Sequence, residues 1–435
     1  MSSNELSTES TSITSSVANY SVSDEEEEDQ QIMSKPNEPV GTCGIPGTIF
    51  NLTNCVLGTG TLAIPLAFYY SGYIGGTILL ACAWVLSAFS MHLLTYVSIK
   101  TGLYTYKEIS AKIGGKVISI LVQLSVFCYT TGTSIAYPIF LSGFLPHICQ
   151  TFAPNTILVD RHFWILTICF FVILPISLFK NLSALKYGSL LCLILVVYTA
   201  CAIFIQTFAS YNDNIEVNKP IAFHFSVEMF RGFPFLTCAF TAHYNVLRFY
   251  SELKDRSLKR MNIINVSSTF IAFMIYLIVG VFGYLSLNPY LTGNVLIDYP
   301  ADDIALFIGC IGFAIDIMLS FPLIHHSQRD LFDKLVFPNW RESTARRVVL
   351  SFVIISFCMF IATAIEQISI VLAYNGSIFG SLVVYIFPTY FAFKVGEGKT
   401  KWISLVIMII GIILAIIGIT VTTLDQFGVF DDAEK

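Results

Sequence analysis

Residues 50–65 read FNLTNCVLGTGTLAIP, and this short stretch decides how the chain folds. Most of its residues are apolar, yet Gly58 and Gly60 flank a threonine, and Pro65 follows Gly60 by five residues. Glycine weakens a helix, and proline removes a further backbone hydrogen bond. The stretch therefore predicts an apolar helix that is interrupted near its middle.

The composition of the whole chain shows what surrounds this helix. Of 435 residues, 55% are apolar and only 12% are charged, and the mean hydropathy is +0.72. A soluble domain usually has about 25% charged residues. This composition excludes a nucleic-acid binder with a basic surface, a disordered hub and an ordinary cytosolic enzyme. The lipid bilayer is the expected partner, and the length suits roughly ten membrane helices.

Eleven apolar runs follow residue 43, each near the length that a helix needs to cross hydrocarbon. The runs are 47–70, 75–99, 117–145, 162–179, 184–209, 226–249, 262–287, 303–325, 346–370, 374–394 and 402–424. We therefore predict an all-α multi-pass membrane protein with about eleven transmembrane helices. Its shortest connections are expected at 71–74 and 371–373.

The distribution of Lys and Arg predicts the topology. If the N-terminus is cytosolic, 20 of the 24 basic residues lie on the cytosolic side of the eleven runs. Only Arg161, Lys219, Arg231 and Lys435 lie on the other side. This bias is the positive-inside pattern of membrane proteins. It supports an odd number of crossings and a C-terminus on the opposite side.

A second interruption is predicted in the sixth run, where residues 231–245 read RGFPFLTCAFTAHYN. Interrupted first and sixth helices are typical of an inverted five-plus-five repeat, here with one extra helix. Non-helical backbone survives at membrane depth where it lines a cavity, and the N–H groups that begin a half-helix suit a carboxylate. The alternative for the first helix is close packing through small residues. The candidate substrate-binding residues are Gly58, Thr59, Gly60, Thr61, Thr237 and Thr241.

Two titratable residues at membrane depth are candidates for coupling transport to an ion. Asp316 lies one turn before Ser320, and a lone charge within a span is usually functional. His243 is a candidate proton sensor because free imidazole titrates near neutral pH, and the alternative is a hydrogen-bonded structural histidine. The eleven cysteines form no close CxxC pair and indicate small buried apolar residues. We expect no cofactor besides the coupling ion.

The chain divides into three parts by composition. Residues 1–40 hold nine acidic residues and one basic residue, so 1–42 is predicted to be a disordered acidic cytosolic tail. The transmembrane domain is expected at 43–424, and 425–435 would form a short C-terminal tail.

Four motifs in the right order resemble the amino acid/auxin permease family, and in part its neutral amino acid transporter branch. They are NCVLGTGTL at 54–62 with Pro65, AFTAHYN at 239–245 with YSEL at 250–253, SFPL at 320–323, and NGS at 375–377 with Phe387-Pro388. The resemblance covers about residues 43–424. One departure is the absence of cysteine between Cys201 and Cys238, where members of that branch often have a disulfide-bearing loop.

The resemblance implies a LeuT-type fold and amino acid transport coupled to Na⁺ or H⁺. It assigns Asn54 and Ser320 to a candidate Na⁺ site, and residues 58–60 to an unwound substrate-binding segment. The alternative function is a transporter-like amino acid receptor that signals through its cytosolic tail. An enzyme is not expected, because no nucleophile, acid–base pair or metal cluster shares one depth. The amino acid, the protein partners and the choice of plasma or vacuolar/lysosomal membrane stay open.

Overall fold

A computed structural model describes residues 41–178, 185–210, 220–300, 303–337, 340 and 343–430. The regular structure in these residues is helical, apart from a single bridge between Cys43 and Leu253. The main helices are α1 (Ile45–Val56), α2 (Gly60–Thr101), α3 (Tyr106–Phe152), α4 (Arg161–Leu178), α5 (Leu185–Ser210), α6 (Phe233–Ala239), α7 (His243–Glu252), α8 (Leu258–Leu287), α9 (Ile304–Val336), α10 (Thr344–Ala364), α11 (Ile368–Val395) and α12 (Gly398–Gln426).

Nine helices within the described ranges are long and apolar enough to cross a membrane. The predicted eleven segments are nevertheless all present. α2 contains two of them, with the first continuing from α1, and the short helices α6 and α7 together form the sixth. The all-α, multi-pass architecture with interrupted first and sixth segments is therefore confirmed.

The division of α2 into two segments depends on Gly72. Its backbone has φ 75° and ψ 165°, a left-handed conformation that favours glycine. The amides that follow turn toward the loop before α6, since Tyr73 donates to the Ile221 carbonyl at 3.1 Å and Ile74 to the Ala222 carbonyl at 2.8 Å. A Cβ atom at position 72 would lie 2.7 Å from the Ile221 oxygen. The turn thus falls within the predicted connection at 71–74.

The predicted boundary between the ninth and tenth segments is wrong by about six residues. We expected the connection at 371–373, but α10 ends at Ala364 and α11 begins at Ile368. Apolar residues also predominate through 368–373, where Ser369 is the one polar residue, so the predicted apolar run extends past the turn. The exposed side chains of Glu366 and Gln367 occupy the actual connection.

The ends of the transmembrane domain are fixed to its helices. Thr42 and Cys43 donate their backbone amides to the carbonyl of Glu252 at the end of α7, each at 3.0 Å. The last helix continues to Gln426. Most of the predicted acidic tail, 1–40, and the final residues, 431–435, lie outside the described residues.

Side-chain hydrogen bonds join the first, second, sixth and seventh segments to one another. Ser268 of α8 donates to the Ile49 carbonyl of α1 at 3.1 Å, and Ser87 of α2 donates to the Phe240 carbonyl at 3.2 Å. Trp84 of α2 donates to Thr269 of α8 at 3.1 Å. We call these four segments the bundle.

The third, eighth and ninth segments are joined in the same way, and we call them the scaffold. Gln328 of α9 donates to Thr131 of α3 at 2.7 Å. The Arg346 guanidinium of α10 donates twice to Asp333 of α9, at 2.6 and 3.2 Å.

Candidate substrate and cation site

The first helix break leaves three backbone amides available for a ligand. α1 ends at Val56, α2 begins at Gly60, and the first hydrogen bond of the new helix runs from the Thr61 amide to the Gly58 carbonyl at 2.9 Å. The amides of residues 58–60 donate to no backbone carbonyl in the part of the chain that the structure covers. They lie at the positive end of a helix, an arrangement that suits a carboxylate.

The two glycines of the break have different surroundings. A Cβ atom at Gly58 would meet only the Tyr137 hydroxyl of α3, at 3.7 Å. A Cβ atom at Gly60 would lie 2.8 Å from the Cα atom of Ala239, the last residue of α6. Gly58 therefore borders open space, whereas Gly60 allows the first and sixth segments to touch.

The second break separates α6 from α7 at residues 240–242. The Thr241 hydroxyl donates to the Thr237 carbonyl at 2.6 Å, so it closes the last turn of α6. A Cβ atom at Gly380 of α11 would lie 3.2 Å from the Thr237 methyl carbon and 3.5 Å from the Thr241 hydroxyl. The two threonines therefore face α11. The hydroxyls of Thr59 and Thr61 are buried at the first break.

Three of the four residues predicted to bind or couple an ion lie in one connected group. The Asn54 amide donates to the Ser320 hydroxyl at 3.4 Å, and this hydroxyl donates to the Asp316 carboxylate at 3.3 Å. All three side chains are buried, and that of Asp316 is only 1% exposed. Within the described part of the chain, the Asn54 side-chain oxygen and one Asp316 carboxylate oxygen have no hydrogen-bond partner. We call this group the cation trio.

The charge of Asp316 has no counter-ion of its own. Among the described side chains, no Lys, Arg or His forms an ion pair with it. The Cys192 thiol of α5 is its other neighbour within hydrogen-bonding reach. An isolated buried carboxylate is very unfavourable, so this one requires either a proton or a bound cation.

His243, the other coupling candidate, is placed elsewhere. It is the first residue of α7 and is fully buried, and neither ring nitrogen has a partner within the described structure. The structure thus brings Asp316 to the first break and leaves His243 inside the bundle.

The sequence did not point to Tyr137 or Cys192, which border the site. Tyr137 is buried in α3. The one sequence signal for it was a tyrosine within a largely apolar predicted helix. A buried Tyr hydroxyl usually faces a polar partner or a cavity.

A cavity of about 480 Å³ lies away from the two breaks, beside Tyr70 in the first segment and Arg231 just before α6. Arg231, just before α6, forms an ion pair with Asp425 of α12 and stacks over the Tyr70 ring, 4.1 Å from its centroid. The loop between α8 and α9 supplies Thr292 to the lining. Thr292 donates its amide and hydroxyl to Asp298 at 3.0 and 2.5 Å. Burial raises the pKa of the Asp298 carboxyl to about 6, although these hydrogen bonds act to lower it.

Three solved transporter structures have a similar arrangement of helices. The chain is similar to MhsT in complex with L-phenylalanine, with 13% identity, a TM-score of 0.59, and 89% of this chain and 100% of that chain covered. It is also similar to a Na⁺-coupled sialic acid symporter in its substrate-bound outward-open state, with 16% identity, a TM-score of 0.52, and coverage of 87% and 89%. A manganese transporter of Eremococcus coleocola matches with 11% identity, a TM-score of 0.56, and coverage of 91% and 92%.

Two broken segments that contact each other in an all-helical chain, together with these similarities, define the LeuT-type fold. The chain belongs to the transmembrane amino acid transporter family, whose model matches residues 41–424. The predicted family and fold are confirmed. Family and fold are those of integral multi-pass membrane transporters rather than enzymes.

Proposed function

We propose that the protein is a secondary active transporter that moves amino acids together with Na⁺ or H⁺ by alternating access. The observation that carries this proposal is the cation trio. Among the described residues Asp316 is a buried carboxyl without a counter-ion, and Ser320 links it to Asn54, three residues before the first helix break begins at Leu57. A site that needs a positive charge would thus lie beside a site that binds a carboxylate.

The amino acid would bind at the first break through its carboxylate. The free amides of residues 58–60 are the donors, and the positive end of α2 favours the negative charge. Gly58 leaves space beside the Tyr137 hydroxyl for the rest of the ligand. Membership of an amino acid transporter family and the L-phenylalanine bound in MhsT support this substrate class.

The coupling ion would bind in the cation trio. Asn54 and Ser320 supply neutral oxygens, and Asp316 supplies a charged one. Carbonyls freed by the unwinding after Val56 are further oxygen ligands of the kind that bind Na⁺ in broken-helix transporters. Na⁺ coupling in the similar sialic acid symporter supports this version. In the proton version, Asp316 itself takes up and releases H⁺.

Alternating access would be a movement of the bundle against the scaffold. Asn54 belongs to the bundle and Ser320 to the scaffold, so the cation trio spans the boundary between the two. At the other end, the ion pair of Arg231 with Asp425 would close the 480 Å³ cavity.

The topology we propose places the N-terminus in the cytosol and the cavity beside Arg231 outside the cell or in an organelle lumen. The 20:4 division of basic residues supports this orientation. It fits a plasma membrane as well as a vacuolar or lysosomal membrane.

Uptake by the purified protein in liposomes tests the proposal. A panel of radiolabelled amino acids is offered while the Na⁺ gradient and the pH gradient are varied separately. Concentrative uptake driven by one gradient is expected. Saturable binding without uptake would overturn the transporter function and favour a receptor.

A matched pair of serines on α9 tests the ion site. Ser320→Ala removes a hydroxyl of the cation trio, whereas Ser327→Ala removes one whose partner is the Leu323 carbonyl of its own helix. If Na⁺ couples transport, Ser320→Ala raises the Na⁺ concentration for half-maximal uptake and Ser327→Ala does not. If H⁺ couples transport, replacing Na⁺ with choline changes nothing at a fixed pH gradient.

A further inference from the structure

Tyr276 of α8 lies between the two helix breaks. Its side chain is fully buried, and its hydroxyl oxygen is 2.7 Å from the Val56 carbonyl oxygen and 2.9 Å from the Ala239 carbonyl oxygen. Val56 is the last residue of α1, and Ala239 is the last residue of α6. A single hydroxyl therefore meets the end of both half-helices that precede the breaks.

Both carbonyls need a donor because the helices stop there. In a continuous helix they would accept from the amides four residues later, at Gly60 and His243. No backbone amide in the described residues donates to either carbonyl. The hydroxyl has one proton and two acceptors, so it serves one carbonyl at a time and can change between them by rotating about its C–O bond.

The surroundings of Tyr276 favour a role in joining the half-helices. Its ring packs edge-on against Phe240, the first residue of the second break, with centroids 5.2 Å apart. Gly60 and Ala239 are in close contact beside it. Ser268, two turns earlier on α8, also bonds to α1.

We propose that Tyr276 is a positioning residue that clamps α1 to α6, so that the two half-helices move as one unit during transport. The clamp holds in either proton position, because the hydroxyl stays near both carbonyls when its proton moves from one to the other. Its effect on transport rests on the proposed function, whereas its effect on the two half-helices does not.

The test uses two tyrosines of α8. Tyr276→Phe removes the hydroxyl and keeps the ring against Phe240. Tyr284→Phe is the matched control, since Tyr284 is equally buried but its hydroxyl accepts from the Ile221 amide in the loop before α6, at 2.9 Å. Uptake kinetics in liposomes are measured beside hydrogen–deuterium exchange of the purified proteins without substrate.

The clamp predicts two results for Tyr276→Phe. The turnover number for uptake falls at least about tenfold while KM changes less than about threefold, because the binding groups remain and the concerted movement is lost. Amide exchange quickens in both peptides that contain the half-helices, 45–63 and 233–245. Tyr284→Phe shows neither change.

Several outcomes would overturn the clamp. They are wild-type exchange in either peptide of Tyr276→Phe, an unchanged turnover number, or the same losses in Tyr284→Phe. If the wild-type protein transports nothing, the proposed function fails, and the exchange measurement still decides on the clamp.

If Tyr276→Phe does not fold, Tyr276→4-aminophenylalanine restores a donor on the same ring, and wild-type turnover and exchange are then expected. A tenfold loss of turnover or faster exchange in this variant would refute the clamp.

Discussion

Adding one methyl group at each glycine of the first break should produce two different defects. At Gly60 the added carbon would lie 2.8 Å from the Cα atom of Ala239 and 3.1 Å from its Cβ atom. Carbon atoms in contact prefer about 3.5–4.0 Å. Gly60→Ala therefore requires the first and sixth segments to separate by about 0.7 Å or more. Neither the Cα nor the Cβ atom of Ala239 can avoid the contact by a side-chain rotation.

The expected cost of Gly60→Ala is that of overpacking a core, about 1–3 kcal/mol. The displaced Ala239 also bears the carbonyl that Tyr276 approaches, so the separation disturbs that hydrogen bond. We expect a lower thermal midpoint in detergent and a lower turnover number for every amino acid that is transported.

Gly58→Ala should leave the fold intact. Its added carbon would have the Tyr137 hydroxyl as its nearest neighbour, at 3.7 Å, which is ordinary contact. The position does not have a positive φ, so alanine introduces no backbone strain. The methyl group instead occupies the space proposed for the substrate. One methylene in a pocket is worth about 1–3 kcal/mol, so KM should rise at least about fivefold for bulky amino acids and less for small ones.

The assay compares both variants in one preparation by thermal unfolding in detergent and by uptake kinetics in liposomes. An equal loss of stability in Gly58→Ala and Gly60→Ala would show that both glycines serve packing. Normal stability and uptake in Gly60→Ala would show that the close contact with Ala239 is not required.

Three further predictions follow from the structure. Asp316→Asn should abolish uptake driven by the coupling gradient while amino acid exchange across the liposome membrane persists; full gradient-driven uptake would exclude Asp316 from the cation site. Because the folded pKa of Asp298 is raised to about 6 from an ordinary value of 3.8, its stabilising contribution is complete below pH 3.8 and is lost as pH rises through 6. Asp298→Asn should therefore gain thermal stability relative to wild type between pH 5 and pH 7, and a pH-independent difference would contradict this. Tags at the two chain ends should show opposite protease accessibility in intact vesicles, and equal accessibility would reject eleven crossings.

The interrupted helices could be predicted because their cause is local. Gly58 and Gly60 act on their own backbone at the first break, whereas α2 continues through Pro65. Gly232 and Pro234 instead mark the start of α6, and the second break at 240–242 contains neither glycine nor proline, so the sequence indicated an interrupted sixth segment without locating its break. The connection between α10 and α11 could not be located in this way. There the turn occupies residues 365–367, where only Glu366 and Gln367 are polar and exposed, and apolar residues predominate on both sides of it.

The composition of the site was less predictable than the breaks. Asn54 and Ser320 are separated by 266 positions, and only the fold shows that their side chains meet. From the sequence, Asp316 was a candidate for coupling to H⁺, whereas Ser320 was a candidate ligand of Na⁺. Their hydrogen bond makes them one group, so we now expect Asp316→Asn to be severe with either ion.

Tyr276 and the packing role of Gly60 show what a single sequence does not contain. Tyr276 lies in an apolar helix without a break, and nothing near it in the chain indicates that its hydroxyl meets two helix ends. Likewise, Gly60 is as small as Gly58, and only the position of Ala239 separates a packing glycine from one that borders open space.

The position of the cation trio explains how an ion could drive the movement. Asn54 is carried by α1 of the bundle, whereas Asp316 and Ser320 are carried by α9 of the scaffold. A cation shared by these side chains attracts both parts toward each other, and its release leaves an uncompensated carboxylate between them. A ligand shifts an equilibrium between two states only by its difference in affinity for them. Under the proposed function the trio would supply such a difference, because its oxygens could surround the ion only while α1 and α9 are in contact.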